Sequence, residues 1–71
     1  MLELNRKDYR YRIENHSYLL AYNVITNKMY FFKGKVKEYL ITKINENKDL
    51  SLEKKYLDYL MDQDILVKGE I

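Results

Sequence analysis

Seventy-one residues with a formal net charge of +2 are expected to make one small domain, and at this size only about 60% of the unfolded surface can be buried. The chain has no cysteine, which excludes disulfides, a thiolate zinc cage, and radical or iron–sulfur chemistry housed in the chain itself. The small, mixed charge falls short of the basic excess of a nucleic-acid binder, and no apolar run approaches the roughly 20 residues that span a bilayer.

Met1 to Asp8 is mostly polar and is expected to fray, with Leu2 and Leu4 its only anchors. Its Met-Leu-Glu-Leu-Asn-Arg-Lys-Asp start lacks the pattern of a signal peptide, so the cytoplasm is the expected location. The core must come from aliphatics and aromatics, among which eight tyrosines stand out. From Tyr9 the pattern alternates. Tyr9, Tyr11 and Ile13 point one way and Arg10, Arg12 and Glu14 the other, as in a half-buried strand. Asn15-His16-Ser17 supplies turn chemistry, with His16 read as a turn residue, and Tyr18 to Asn23 forms the next strand. A tight turn ending in Asn27-Lys28 follows, where asparagine tolerates the positive φ a short hairpin loop requires. Met29 to Phe32 completes a three-stranded antiparallel meander.

Across Lys33-Gly34-Lys35 the period changes from strand to helix. Val36, Leu40 and Ile44, with Tyr39 beside them, mark a helix from Lys35 to about Asn45. A switch with no long loop leaves the strand Met29–Phe32 as an open edge. Asn45 to Asp49 breaks the helix. Ser51 is the expected N-cap of a second helix, with Glu53 in its first turn and Leu57, Leu60 and Met61 as its apolar stripe, flanked by Tyr56. Gln63-Asp64 should end that helix, leaving Ile65-Leu66-Val67 to cover the base of the sheet or the first helix. The expected class is α+β, in the order βββαα.

These residues resemble the PqqD-like domains, or RiPP recognition elements, over Tyr11 to Val67. The resemblance rests on Tyr18-Leu19-Leu20, Thr26-Asn27-Lys28, Met29-Tyr30-Phe31-Phe32, Val36, Tyr39, Leu40, Tyr56-Leu57-Asp58-Tyr59-Leu60 and Gln63-Asp64-Ile65-Leu66. It implies a truncated winged-helix-like module that binds the leader of a ribosomal precursor peptide. Such a module presents the peptide to a separate maturation enzyme, such as a radical-SAM maturase, a cyclase or a protease, in natural-product biosynthesis. The chain departs from the family in two places. The interval from Ile44 to Ser51 leaves room for at most one turn of the usual middle helix, and Asp64 stands where the family has glycine.

By the resemblance, the peptide adds as a strand beside Met29–Phe32, in the groove between that strand and the last helix. The implied peptide-binding residues are Lys28, Met29, Tyr30, Phe31, Phe32, Lys55, Tyr56 and Tyr59, with Tyr30 and Phe32 on the helix-covered face. Lys28 and Lys33 would attract acidic residues of a peptide. The plainer reading makes the four strand residues core filling, and the polar residues of the last helix a solvated face. No cofactor, metal or catalytic residue is expected, because no acid–base pair or phosphate-binding loop is present and His16 has no second ligand. Two other classes stay open. A winged-helix DNA binder would need a basic recognition helix, whereas Leu52 to Asp64 sums to about −2. A structural module could pair its open edge in a homodimer.

Overall fold

The computed structural model describes residues 2–14 and 17–69. The elements run β1 (Leu2–Leu4), β2 (Tyr9–Glu14), β3 (Tyr18–Asn23), β4 (Met29–Phe32), α1 (Gly34–Glu46), α2 (Lys54–Asp62) and β5 (Leu66–Lys68). The class is α+β. An antiparallel sheet has the order β2-β3-β4, and a separate two-stranded sheet joins β1 to β5.

The meander follows its alternation. Tyr9, Leu19, Ala21 and Phe32 enter one buried cluster with Tyr39, Leu40, Leu60, Ile65 and Leu66. The expected Asn15-His16 turn lies outside the described residues, apart from Ser17, whose N–H donates to the Glu14 carbonyl at 2.8 Å. In the second turn the Asn23 side chain accepts from the N–H groups of Ile25 and Thr26 at 2.8 and 3.0 Å. Asn27 takes the left-handed conformation at φ 63°, as its position predicts, and its side chain accepts from the Tyr22 hydroxyl at 2.6 Å.

The strand-to-helix switch depends on Gly34, which opens α1 at φ +60°, a conformation that costs any residue with a Cβ about 1 kcal/mol or more. Helix α1 buries Tyr39 and Leu40 together with Lys43. The Lys43 Nζ lies 2.8 Å from Asp49 and also donates to the Leu2 carbonyl. Asp49 accepts a second bond from the Tyr39 hydroxyl at 2.9 Å. Burial pushes the Tyr39 hydroxyl up, and the Lys43 ammonium holds the Asp49 carboxyl below its usual value.

Three expectations are corrected. Within the segment thought to fray, Leu2–Leu4 is a strand, because Leu2 and Leu4 pair with Lys68 and Leu66 in a two-stranded clasp. The order is therefore ββββααβ, and Ile65-Leu66-Val67 runs into strand β5 as well as filling the core. Ser51 is not the N-cap of α2. Its first helical turn closes on Glu53, whose carbonyl accepts from the N–H groups of Tyr56 and Leu57 at 3.0 and 3.2 Å, so Glu53 sits at the cap and residues 50–53 are irregular. No turn of a middle helix forms between α1 and α2.

The end of α2 is a Schellman turn, with Ile65 N–H on the Leu60 carbonyl at 2.9 Å and Asp64 N–H on the Met61 carbonyl at 3.0 Å. Asp64 holds the left-handed position at φ 60°. Tyrosine hydroxyls fasten this turn, and the loop after β1, to the sheet. Tyr9 donates to the Gln63 carbonyl at 2.6 Å and Tyr11 to the Asn5 carbonyl at 2.9 Å. Burial raises the pKa of both, so they remain neutral donors. Asn5, in the stretch expected to fray, is itself buried. Its amide donates to the Asp64 carbonyl at 2.9 Å, and its oxygen accepts from Lys7 and Asp8 N–H groups at 3.1 Å each.

Candidate functional site

Strand β4 pairs with β3 alone, so its far side is an edge. Which backbone groups face outward follows from the register. The Asn23 N–H bonds the Lys28 carbonyl at 2.9 Å, which makes Asn23 and Lys28 a hydrogen-bonded pair. Bonded and non-bonded pairs alternate along an antiparallel ladder. The pairs Ala21–Tyr30 and Leu19–Phe32 are therefore bonded, and Tyr22–Met29 and Leu20–Phe31 are not. Met29 and Phe31 consequently turn their N–H and C=O groups to the open side.

The side chains alternate in step. Phe32 is in the core at 9% exposure and Tyr30 is half-buried beside it, with ring centroids 6.5 Å apart. Met29 and Phe31 lie on the opposite, outer face, each 58% exposed. There Phe31 meets Tyr18 edge to face at 5.2 Å. The strand thus offers backbone through Met29 and Phe31, with Tyr30 half-buried on the inner face and Phe32 closed into the core.

The wall is α2. The Tyr30 hydroxyl donates to Gln63 Oε1 at 2.8 Å, which brings the C-terminal end of α2 against β4. At the other end, Tyr56 and Glu53 share a cleft of about 460 Å³ with Lys33, Gly34, Lys35 and Val36, the residues that follow β4. Positions 56, 59 and 63 are spaced as one row on a helix. The two ends of that row meet β4 and its continuation through Gln63 and Tyr56. Tyr56 and Tyr59 are 37% and 45% exposed. The Lys55 ammonium stands 5.0 Å from the Tyr56 ring centroid and 3.8 Å from Glu53. Lys28 is exposed in the turn before β4.

The structure thereby ties Tyr30 to the end of α2 and brings Tyr56 into one cleft with the residues that follow β4. Met29 and Phe31 meet the open side only by backbone, since their side chains lie on the outer face. Sequence reasoning missed Gln63 as the partner of the Tyr30 hydroxyl. It also missed Tyr18, whose pairing with Phe31 depends on sheet register. Lys54 belongs elsewhere, tied to Asp58 one turn along at 2.8 Å. Among the described residues no group of acidic and histidine side chains is placed to hold a metal ion, and no helix is long and apolar enough to cross a membrane. The chain matches no protein-family model, and comparison with curated proteins and with solved structures finds no match either.

Proposed function

We propose that the protein is a non-catalytic peptide-binding module that accepts an extended segment as a fourth strand on β4. The observation that carries this reading is the free edge at Met29 and Phe31, with outward backbone groups on a strand that Tyr30 ties to Gln63 at the end of α2. Strand addition needs such a pair: a ladder for affinity and a lined groove for selection. With the resemblance to RiPP recognition elements, the reading extends to a precursor leader peptide, captured on a shortened winged-helix-like frame and handed to a separate maturation enzyme. DNA is disfavoured as a partner, because Glu53 to Asp64 holds four carboxylates against two lysines.

The test is selection of linear peptides from a displayed random library against the whole chain, followed by fluorescence anisotropy on the peptides obtained. Phe31→Pro removes an outward N–H that the fold does not use, and it should weaken the selected peptides about tenfold, the worth of roughly one hydrogen bond. Its melting curve should stay close to the parent's. Failure to enrich any linear peptide, or equal binding by folded Phe31→Pro, overturns the reading.

A further inference from the structure

We infer that two copies of this chain pack through the outer face of the three-stranded sheet, about a two-fold axis that runs along β3. This pairing leaves the open side of β4 free, so it stands apart from the peptide reading.

The register fixes what the outer face carries. Arg10, Tyr22 and Met29 lie side by side across the strands, and Arg12, Leu20 and Phe31 form the next row. Glu14 and Tyr18 begin a third. Residues two apart on a strand share a face, and the intervening Leu19, Ala21 and Phe32 point the other way, into the core. There the helices meet them through Tyr39, Leu40 and Leu60. Tyr18, Leu20, Tyr22, Met29 and Phe31 belong neither to that core nor to the residues packed against it. Among the described residues the outer face thus has no covering layer, and Met29 and Phe31 are 58% exposed on it.

The face fits itself. Its β2 side is cationic, its β4 side is apolar and aromatic, and Leu20 stands between them. A two-fold axis along β3, midway between two facing sheets, lays β2 of each copy over β4 of the other. Rows are kept, so Arg10 stands over Met29 and Arg12 over Phe31, twice. A guanidinium over an aromatic ring is an attractive pairing that strengthens as water leaves. Leu20 meets its counterpart on the axis, and the strands of the two sheets run nearly parallel, as in aligned sandwiches. An axis across the strands would give Arg10 a carboxylate in Glu14 but would set Arg12 against Arg12. Arginine, tyrosine, methionine and phenylalanine are also the types enriched at protein interfaces. A single-stranded nucleic acid is the other occupant of an aromatic sheet face. Two arginines, one of them held by Glu14, are few for a phosphate backbone.

Three short strands make a small interface, so the expected dimer dissociation constant is about 10–100 μM. Sedimentation equilibrium across that range should show monomer and dimer exchanging. The chain has no cysteine, so Leu20→Cys supplies a single thiol. Facing sheets lie about 10 Å apart, and a short bis-maleimide should join two copies through it. Lys48→Cys, beyond the end of α1, should stay unjoined. Phe31→Ser and Arg12→Glu, both at exposed positions, should each raise the dissociation constant about tenfold or more, with circular dichroism showing them folded. A parent still monomeric at about 1 mM overturns the inference. So does a dimer that Phe31→Pro dissociates but Arg12→Glu does not, with Leu20→Cys unjoined, because that dimer pairs by the β4 edge. Oligouridylate binding that Phe31→Ser abolishes would make nucleic acid the occupant instead.

Discussion

Strands β1 and β4 are both short and each pairs on one side only, yet their outer sides differ. The outer side of β1 is partly closed, because helix α1 packs against it and Lys43 reaches the Leu2 carbonyl. Along β4 one side is bonded to β3 and the other to nothing among the described residues, beside two side chains left 58% exposed. Backbone N–H and C=O groups seek partners wherever water is excluded. What a partner could reach at β4 is decided by the direction of its backbone groups.

The largest expected effect tests that direction. Tyr30→Pro removes an N–H bonded to β3 and should destabilise the fold by about 3 kcal/mol or more, whereas Phe31→Pro should change it by about 1 kcal/mol or less. Urea denaturation of the two variants reads the difference; equal losses would mean that the inward and outward assignment along β4 is wrong.

A smaller effect is expected at the clasp side. Asp49→Ala leaves the buried Lys43 ammonium without its carboxylate and should cost about 2 kcal/mol, less than a wholly buried pair because Asp49 is half exposed. The pH dependence has a definite sign. Lys43 holds the Asp49 carboxyl below its ordinary value, so its stabilisation is complete above about pH 4 and lost as pH falls through the lowered folded value. Stability measured across the acid range should fall less steeply in Asp49→Ala than in the parent. Parallel acid limbs would show that the pair does not couple to folding.

The smallest effect is at the turn that carries Gln63 to Tyr30. Asp64 sits at φ 60°, and Asp64→Gly should stabilise by a few tenths to about 1 kcal/mol, since glycine adopts that conformation without a Cβ penalty. Thermal melts decide it. A loss of stability would mean that the aspartate side chain contributes more than its backbone strain costs.

Much of this was legible in the sequence because the long elements declare their period. Alternation placed Tyr9 and Tyr11 on one face, the spacing of Val36, Leu40 and Ile44 gave α1 to within a residue, and Asn27 and Asp64 marked left-handed turns. What stayed hidden has physical causes. Strands of three residues, Leu2-Glu3-Leu4 and Leu66-Val67-Lys68, are too short to show a period, and each is a strand only because the other is there. Ser51 suits a helix cap chemically, but the chain turns helical only at Glu53. On the site, the free edge could be inferred from the switch at Gly34. The side of α2 that faces it could not, because Lys54, Lys55, Asp58 and Tyr59 read alike until the Tyr30–Gln63 bond picks out one row.

The β1–β5 clasp also orders events in folding. The turn at residues 24–27 closes a loop of a few residues, while pairing Leu4 with Leu66 closes one of roughly sixty. The chain entropy of that longer closure is greater by roughly 2.5 kcal/mol. The meander and α1 can form without it. The clasp therefore assembles late and opens first, below the free energy of global unfolding. Amide exchange should then be faster at Glu3 and Val67 than at Leu19 and Ala21. A chain with the clasp open still presents β4 with its outward groups in place, so the edge persists through the commonest excursions of the native state.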